Sequence, residues 1–282
     1  QSNAKLNEVV FDLKSTVGNY AFQGNTNLTT VTFTSNATLD AYAFENCTKL
    51  ATITNSEKIT SIGNSAFAYC SALTSLTISG VITIGDHAFN KSGLTKITIP
   101  SGTSSLGAHA FDGCAALTTA AIDARITAIP EGLFQDCTLL STVKLPDDCT
   151  TIGNQSFKNC KALTSFNLDK FTSIGTAAFA GSGLTKVKFS SKMTSTGYQA
   201  FQDCKSLESI ELETGVTTID AQSFYCCTAL KDVSIPASVT SIGGSAFQGC
   251  TSMTSAFVFF DKKNAGQQDS RADADATATI GE

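Results

Sequence analysis

Apolar residues along this chain return on a fixed beat. The stretch from Ile62 to Ile84 opens with Ile62-Gly63, places Ala66-Phe67 four residues on, then Cys70, and then Leu73, Leu76 and Ile78 as a short apolar ladder, before Ile84-Gly85 starts the phrase again. The phenylalanines track it over the whole chain: Phe22, Phe44, Phe67, Phe89, Phe111, Phe134, Phe157, Phe179, Phe201, Phe224 and Phe247 are always 22 or 23 residues apart. A phrase of this length cannot bury its apolar side alone, so units must stack on one another into a continuous core.

Each unit holds two extended pieces, a turn that joins them and a closing turn. L-T-x-I-x-I, as in Leu94 to Ile99, alternates apolar and polar residues and predicts a half-buried strand. A turn follows, marked by Pro100, Pro146 or Pro236 or by Ser, Gly and Asp elsewhere, and V-T-x-I-G, as in Val239 to Gly243, predicts a second short extended piece. G-x-x-A-F-x-x-C is too short for a stable helix and predicts one helical or 3₁₀ turn. Eleven such units follow an opening half-unit at Leu6, Val9 and Phe11.

Two units depart alike. At Phe89 to Leu94 and at Phe179 to Leu184 one residue is lost and Ser-Gly replaces the Cys region, 90 residues apart, which suggests a higher-order duplication. A third, Ile129-Pro130-Glu131-Gly132-Leu133-Phe134, puts Pro for Gly and Leu for Ala, and a distorted turn is expected there. After Met253 the beat is lost. Ala256 to Phe260 is expected to close the core as a last strand, and residues 261–282 read as a polar tail. Gln1-Ser2-Asn3-Ala4 reads as an expression-tag remnant, which leaves 5–260 as the repeat domain, and the natural protein is expected to extend further.

The pattern I-G-x-x-A-F-x-x-C-x-x-L-x-x-I-x-I-P resembles the BspA-like leucine-rich-repeat family from about Leu6 to Phe260. That resemblance implies a curved, right-handed horseshoe solenoid, with L-x-x-I-x-I strands in a parallel sheet on the concave face and short 3₁₀ or helical turns on the convex face. It also implies a non-enzymatic protein of the cell surface or extracellular space, which adheres to host matrix or plasma proteins or to other cells.

Composition changes this picture little. With 15% charged residues and a net charge of −5 over 282 residues, the composition argues against a general nucleic-acid binder, which usually shows a basic patch, and no run of about 18 apolar residues is present to span a membrane. Eight of the ten cysteines (47, 70, 114, 137, 160, 204, 227 and 250) fall three residues after the unit's Phe, Cys149 takes a Val slot, and Cys226 stands apart. Stacked at about 4.8 Å with parallel Cβ vectors, they read as small buried hydrophobes; disulfides or a metal are the alternatives. His87 and His109 share one slot with Tyr20 and Tyr42, and only Asp86 offers itself as a third metal ligand. No nucleophile constellation, phosphate loop or carboxylate pair stands out, so neither enzyme activity nor a cofactor is expected.

The outward positions of the concave strands remain free to act. The candidate ligand-binding residues are Lys96, Thr98, Thr142, Lys144, Asn167, Asp169, Lys186, Lys188, Glu211, Glu213 and Asp232, with a basic rung at Lys186 and Lys188 beside acidic ones. A protein ligand bound by a monomer is the leading expectation. A spacer that displays another domain, or a carbohydrate binder, is the alternative.

Overall fold

A computed structural model describes residues 5–258 as a parallel β-solenoid in which every unit contributes one rung. The tag remnant 1–4, Phe259, Phe260 and the tail 261–282 lie outside the described residues. Two ladders of parallel strands run along the axis. The L-x-x-I-x-I ladder holds Glu8–Phe11, Thr30–Phe33 and Thr52–Thr54; then Lys96–Ile99, Thr119–Ile122 and Thr142–Lys144; then Lys186–Phe189 with Ser209–Leu212; and finally Val233–Ile235 with Ala256–Val258. Pairing is in strict register, with Lys96, Thr119 and Thr142 side by side and Lys188 beside Glu211. The second ladder, built from V-T-x-I, runs unbroken from Ser15–Val17 to Ser105–Leu106 and resumes at Ala128–Ile129.

Inside, the eleven phenylalanines form one column. From Phe44 to Phe224 they are fully buried, and consecutive rings lie 5.2–5.8 Å apart and close to parallel. Offset stacking of this kind adds about 0.5–1.5 kcal/mol per pair to the burial itself. The cysteines line the same interior. Each of the eight periodic thiols donates to the carbonyl oxygen of a Phe one rung before its own, as Cys70 does to Phe44 at 3.2 Å and Cys137 to Phe111 at 3.1 Å. Where Ser-Gly interrupts the column, buried Ser92 and Ser182 face Cys114 and Cys204 at 3.3 and 3.4 Å.

The Phe-bearing segment is neither a helical nor a 3₁₀ turn, contrary to its sequence expectation. In every unit the residues two before and two after the Phe have positive φ, as at Tyr20 and Gly24, or His109 and Gly113. Local bonds such as Gln23 N–H to Tyr20 O therefore alternate with bonds to the next rung, such as Phe22 N–H to Ala43 O at 2.8 Å. A helix would keep all of these bonds to itself; here half of them stitch the rungs together. The only helix among the described residues is a 3₁₀ turn, Ser56–Lys58, and it follows a strand.

Pro130 does not distort its turn as expected. Gly132, Phe134 and Asp136 still donate to the next rung at 2.8–2.9 Å. The cost falls elsewhere. Gly85 and Gly107 donate to the isoleucine carbonyls one rung back, and proline has no N–H to do so, so the second ladder is interrupted between Leu106 and Ala128. The phenylalanine rings on either side of Phe134 also fan open, to 21° and 25°.

Candidate ligand-binding face

The outward side chains of the first ladder stand clear of the core because strand residues alternate. Along Lys96–Ile99 and Lys186–Phe189 the order is exposed, buried, exposed, buried. Threonine is frequent here for more than strand preference. Thr95, Thr118 and Ser141 follow the rung-opening Leu, and their hydroxyls donate to the backbone carbonyl of the preceding rung at 3.0–3.3 Å.

Two rungs expected to be strands are not. Ser75–Ile78 and Ser165–Leu168 make no ladder pairing, and the first ladder breaks at both. Both rungs belong to units with a shortened turn. Nine positions separate the rung-opening Leu from the next buried slot in a regular unit, as from Leu50 to Ile59 or Leu140 to Cys149, but eight in these two, from Leu73 to Val81 and from Leu163 to Phe171. At these two rungs side chains replace the missing backbone partners; a third break, between Ser209–Leu212 and Val233–Ile235, follows a turn of regular length from Leu207 to Val216. Ser56 Oγ accepts from Thr77 N–H at 3.3 Å, and the Lys170 ammonium donates to the carbonyls of Leu145 and Pro146. The next rung begins with Gly93 or Gly183 because a Cβ there would lie 2.1 Å from Ser71 O or 2.0 Å from Lys161 O.

A groove opens at each of these two rungs. The larger, about 860 Å³, has a floor that includes Val143, Phe166 and Phe171 and gathers Thr142, Asn167, Asp169, Lys186, Lys188 and Glu211 from the candidate set. The smaller, about 700 Å³, is floored by Ile53, Leu76 and Ile97 and takes in Lys96 and Thr98. The remaining candidates lie outside both grooves. Lys144 pairs with Asp123 at 3.0 Å, and Glu213 holds Lys188 at 3.0 Å, while Glu211 lies 3.6 Å from the same ammonium. Hydrogen bonding to Glu213 and the charge of both glutamates raise the Lys188 pKa. Asp232 accepts from Thr254 and Ser255, which lowers its pKa. Eight of the eleven candidates therefore gather at the two grooves, six at the larger and two at the smaller. Sequence reasoning missed Leu76, Phe166, Lys170 and Phe171 as lining residues; the one-residue deficit before Val81 and Phe171 was the available signal.

Away from this face the thiols, imidazoles and phenol rings stack from rung to rung. Burial raises the pKa of the periodic thiols, to about 11 for Cys47, Cys114, Cys204 and Cys250, so they stay protonated and unreactive at neutral pH. All ten cysteines are free; Cys149 is buried as expected, and Cys226 is half-buried. His87 and His109 stack at 4.9 Å, and Tyr20 and Tyr42 do the same at 4.8 Å. His109 Nδ1 lies 3.6 Å from Asp112, whose pKa burial raises against the pull of that histidine. Among the described residues no three or more His, Cys, Asp or Glu side chains gather closely enough to hold a metal ion. No helix among them is long and apolar enough to cross a membrane.

The BspA type leucine rich repeat region, in six copies, matches residues 2–118, 72–182 and 163–267. Among solved structures, a leucine rich cell surface protein from Faecalibacterium prausnitzii A2-165 is 26% identical over 91% of this chain and 84% of its own, with a TM-score of 0.57. A T. pallidum leucine rich repeat protein is 28% identical over 52% of this chain and 71% of its own, with a TM-score of 0.50. The pneumococcal vaccine antigen PcpA shares the fold at 17% identity, over 90% of this chain and 72% of its own, with a TM-score of 0.55. No curated protein matches this sequence. By its repeat, its rungs and the family region that spans them, the chain belongs to the BspA-type leucine-rich-repeat proteins.

Proposed function

We propose that this protein is a non-enzymatic binding protein of the cell surface or extracellular space, and that it attaches to other proteins through the outward side chains of its first ladder. In a horseshoe of leucine-rich-repeat curvature that ladder is the concave wall. Host matrix or plasma proteins, or proteins on other cells, are the proposed ligands of a monomer. One observation carries the reading: the first ladder presents a long polar face whose charged residues converge on grooves with apolar floors. Apolar floor and polar rim are the anatomy of a protein-binding surface. The F. prausnitzii relative, described as a cell surface protein, supports the location.

The test is attachment of the purified protein to an array of matrix and plasma proteins, repeated with Lys186→Glu, Lys188→Glu, Glu211→Lys and Glu213→Lys combined. The expected result is a signal on at least one array protein that the combined variant loses. An empty array, or an undiminished signal from the variant, overturns the reading.

A further inference from the structure

The two grooves are one design built twice. Adding 90 to each residue number carries the smaller groove onto the larger: Ile53 becomes Val143, Leu76 becomes Phe166, and Lys96 becomes Lys186. Each pair keeps its role, with two apolar residues in the floor and a lysine on the wall. Both grooves open where a rung is one residue short, and both are followed by Ser-Gly-Leu-Thr-Lys, at 92–96 and 182–186.

Their chemistry selects the occupant. Lys96 and Lys186 are exposed and have no carboxylate partner among the described residues, whereas most other rim charges are taken. Asp123 is held by Lys144, Glu211 faces Lys188, and the Lys170 ammonium is spent on two backbone carbonyls. Asp169 is the exception, an unpaired carboxylate at the larger groove, and it makes that groove the weaker of the two for an anion. A free ammonium above an apolar floor matches an apolar side chain next to a carboxylate. An acidic polysaccharide would satisfy the lysine but leave the floor unfilled.

We infer that the two grooves act together as a bivalent receptor for an extended acidic peptide carrying two short segments, each an apolar residue followed by a carboxylate; this rests on the first ladder being the binding face. Rungs about 4.8 Å apart put the grooves, four rungs from each other, about 19 Å apart. Two dipeptide segments joined by a six-residue spacer place equivalent residues eight positions apart, up to about 26 Å at about 3.3 Å each and enough to bridge the gap, whereas a two-residue spacer reaches only about 13 Å. With a linker of matched length the second segment binds intramolecularly, so affinity rises with no new kind of contact.

Fluorescence anisotropy on the full chain tests this with synthetic peptides. One carries Phe-Glu twice across a six-residue Gly/Ser spacer, one carries it once, one carries it twice across a two-residue spacer, and one replaces both Glu with Lys. The six-spacer peptide is expected to bind at least about tenfold tighter than the single-segment peptide, and the short-spacer and Lys peptides are expected to lose that gain. Lys96→Glu and Lys186→Glu should each reduce the six-spacer peptide to single-segment affinity; both sites are exposed, so the fold is not at stake. Equal affinity for one and two segments, indifference to both substitutions, or displacement of the peptide by heparin-derived oligosaccharides overturns the inference. If no peptide binds while array attachment persists and is lost on charge reversal, the inference falls and the adhesion reading stands. If charge reversal leaves array attachment intact, the adhesion reading itself falls.

Discussion

The thiol of Cys137 donates to the carbonyl oxygen of Phe111 on the preceding rung at 3.1 Å. The same bond recurs at every periodic cysteine, so these side chains are both core filler and rung-to-rung connector. Rapid reaction with a thiol reagent under native conditions is therefore expected at Cys226 alone, and ten thiols should react in denaturant. Reaction of several thiols in the folded protein, or fewer than ten in denaturant, would contradict the assignment.

These thiols also set a pH limit. Burial raises Cys114 from an ordinary 9.0 to about 11, against hydrogen bonds from Ser92 that lower it. Below pH 9 both the folded and the unfolded chain hold the proton, and the buried thiol's contribution is intact. Between 9 and 11 only the unfolded chain releases it, so stability falls as pH rises. The urea midpoint should drop from pH 8 to pH 10, and less so in Cys114→Ser. That variant tolerates the change because Ser92 and Ser182 already occupy the same place in their units.

The Phe column carries the stacking energy. Phe111 is fully buried between Phe89, at 5.2 Å, and Phe134, at 5.8 Å. Phe111→Ala is expected to cost about 3–5 kcal/mol, read from urea unfolding. A loss below about 1 kcal/mol would mean that the column closes over the gap.

The glycines at the ladder breaks should be intolerant of a methyl group. Gly183→Ala would force a Cβ to 2.0 Å from Lys161 O, and a loss of more than about 1 kcal/mol is expected. Gly102→Ala, which has nothing within 4 Å, is the control. Equal behaviour of the two variants in thermal unfolding would remove the steric account of the short rungs.

Lys188 pairs with Glu211 and Glu213 in open solvent. Solvent-exposed pairs contribute little to folding. Lys188→Ala should leave the melting temperature unchanged while weakening attachment on the array, and a large stability loss would assign the cluster to the fold instead.

By itself the sequence determined the period, the buried Phe and Cys columns and the parallel stacking, because a unit of 22 or 23 residues with one apolar side has no other way to bury it. The alternation of Lys186, Val187, Lys188 and Phe189 was enough to place two lysines outward. What a single unit looks like in isolation misled the reading of the turn. Viewed alone, G-x-x-A-F-x-x-C suggests a helical turn, although Gly24, Asn46, Gly113, Asp136 and Asn159, all two residues after a Phe, were visible signs of positive φ. That conformation is adopted because half of the turn's N–H groups bond to the next rung, a partner absent from the local sequence. Tertiary structure alone decided the grooves. A turn one residue short looks trivial in the sequence, but in the two units that begin at Leu73 and Leu163 the rung makes no ladder pairing, and the strand it would have formed gives way to an open groove beside Lys96 and Lys186.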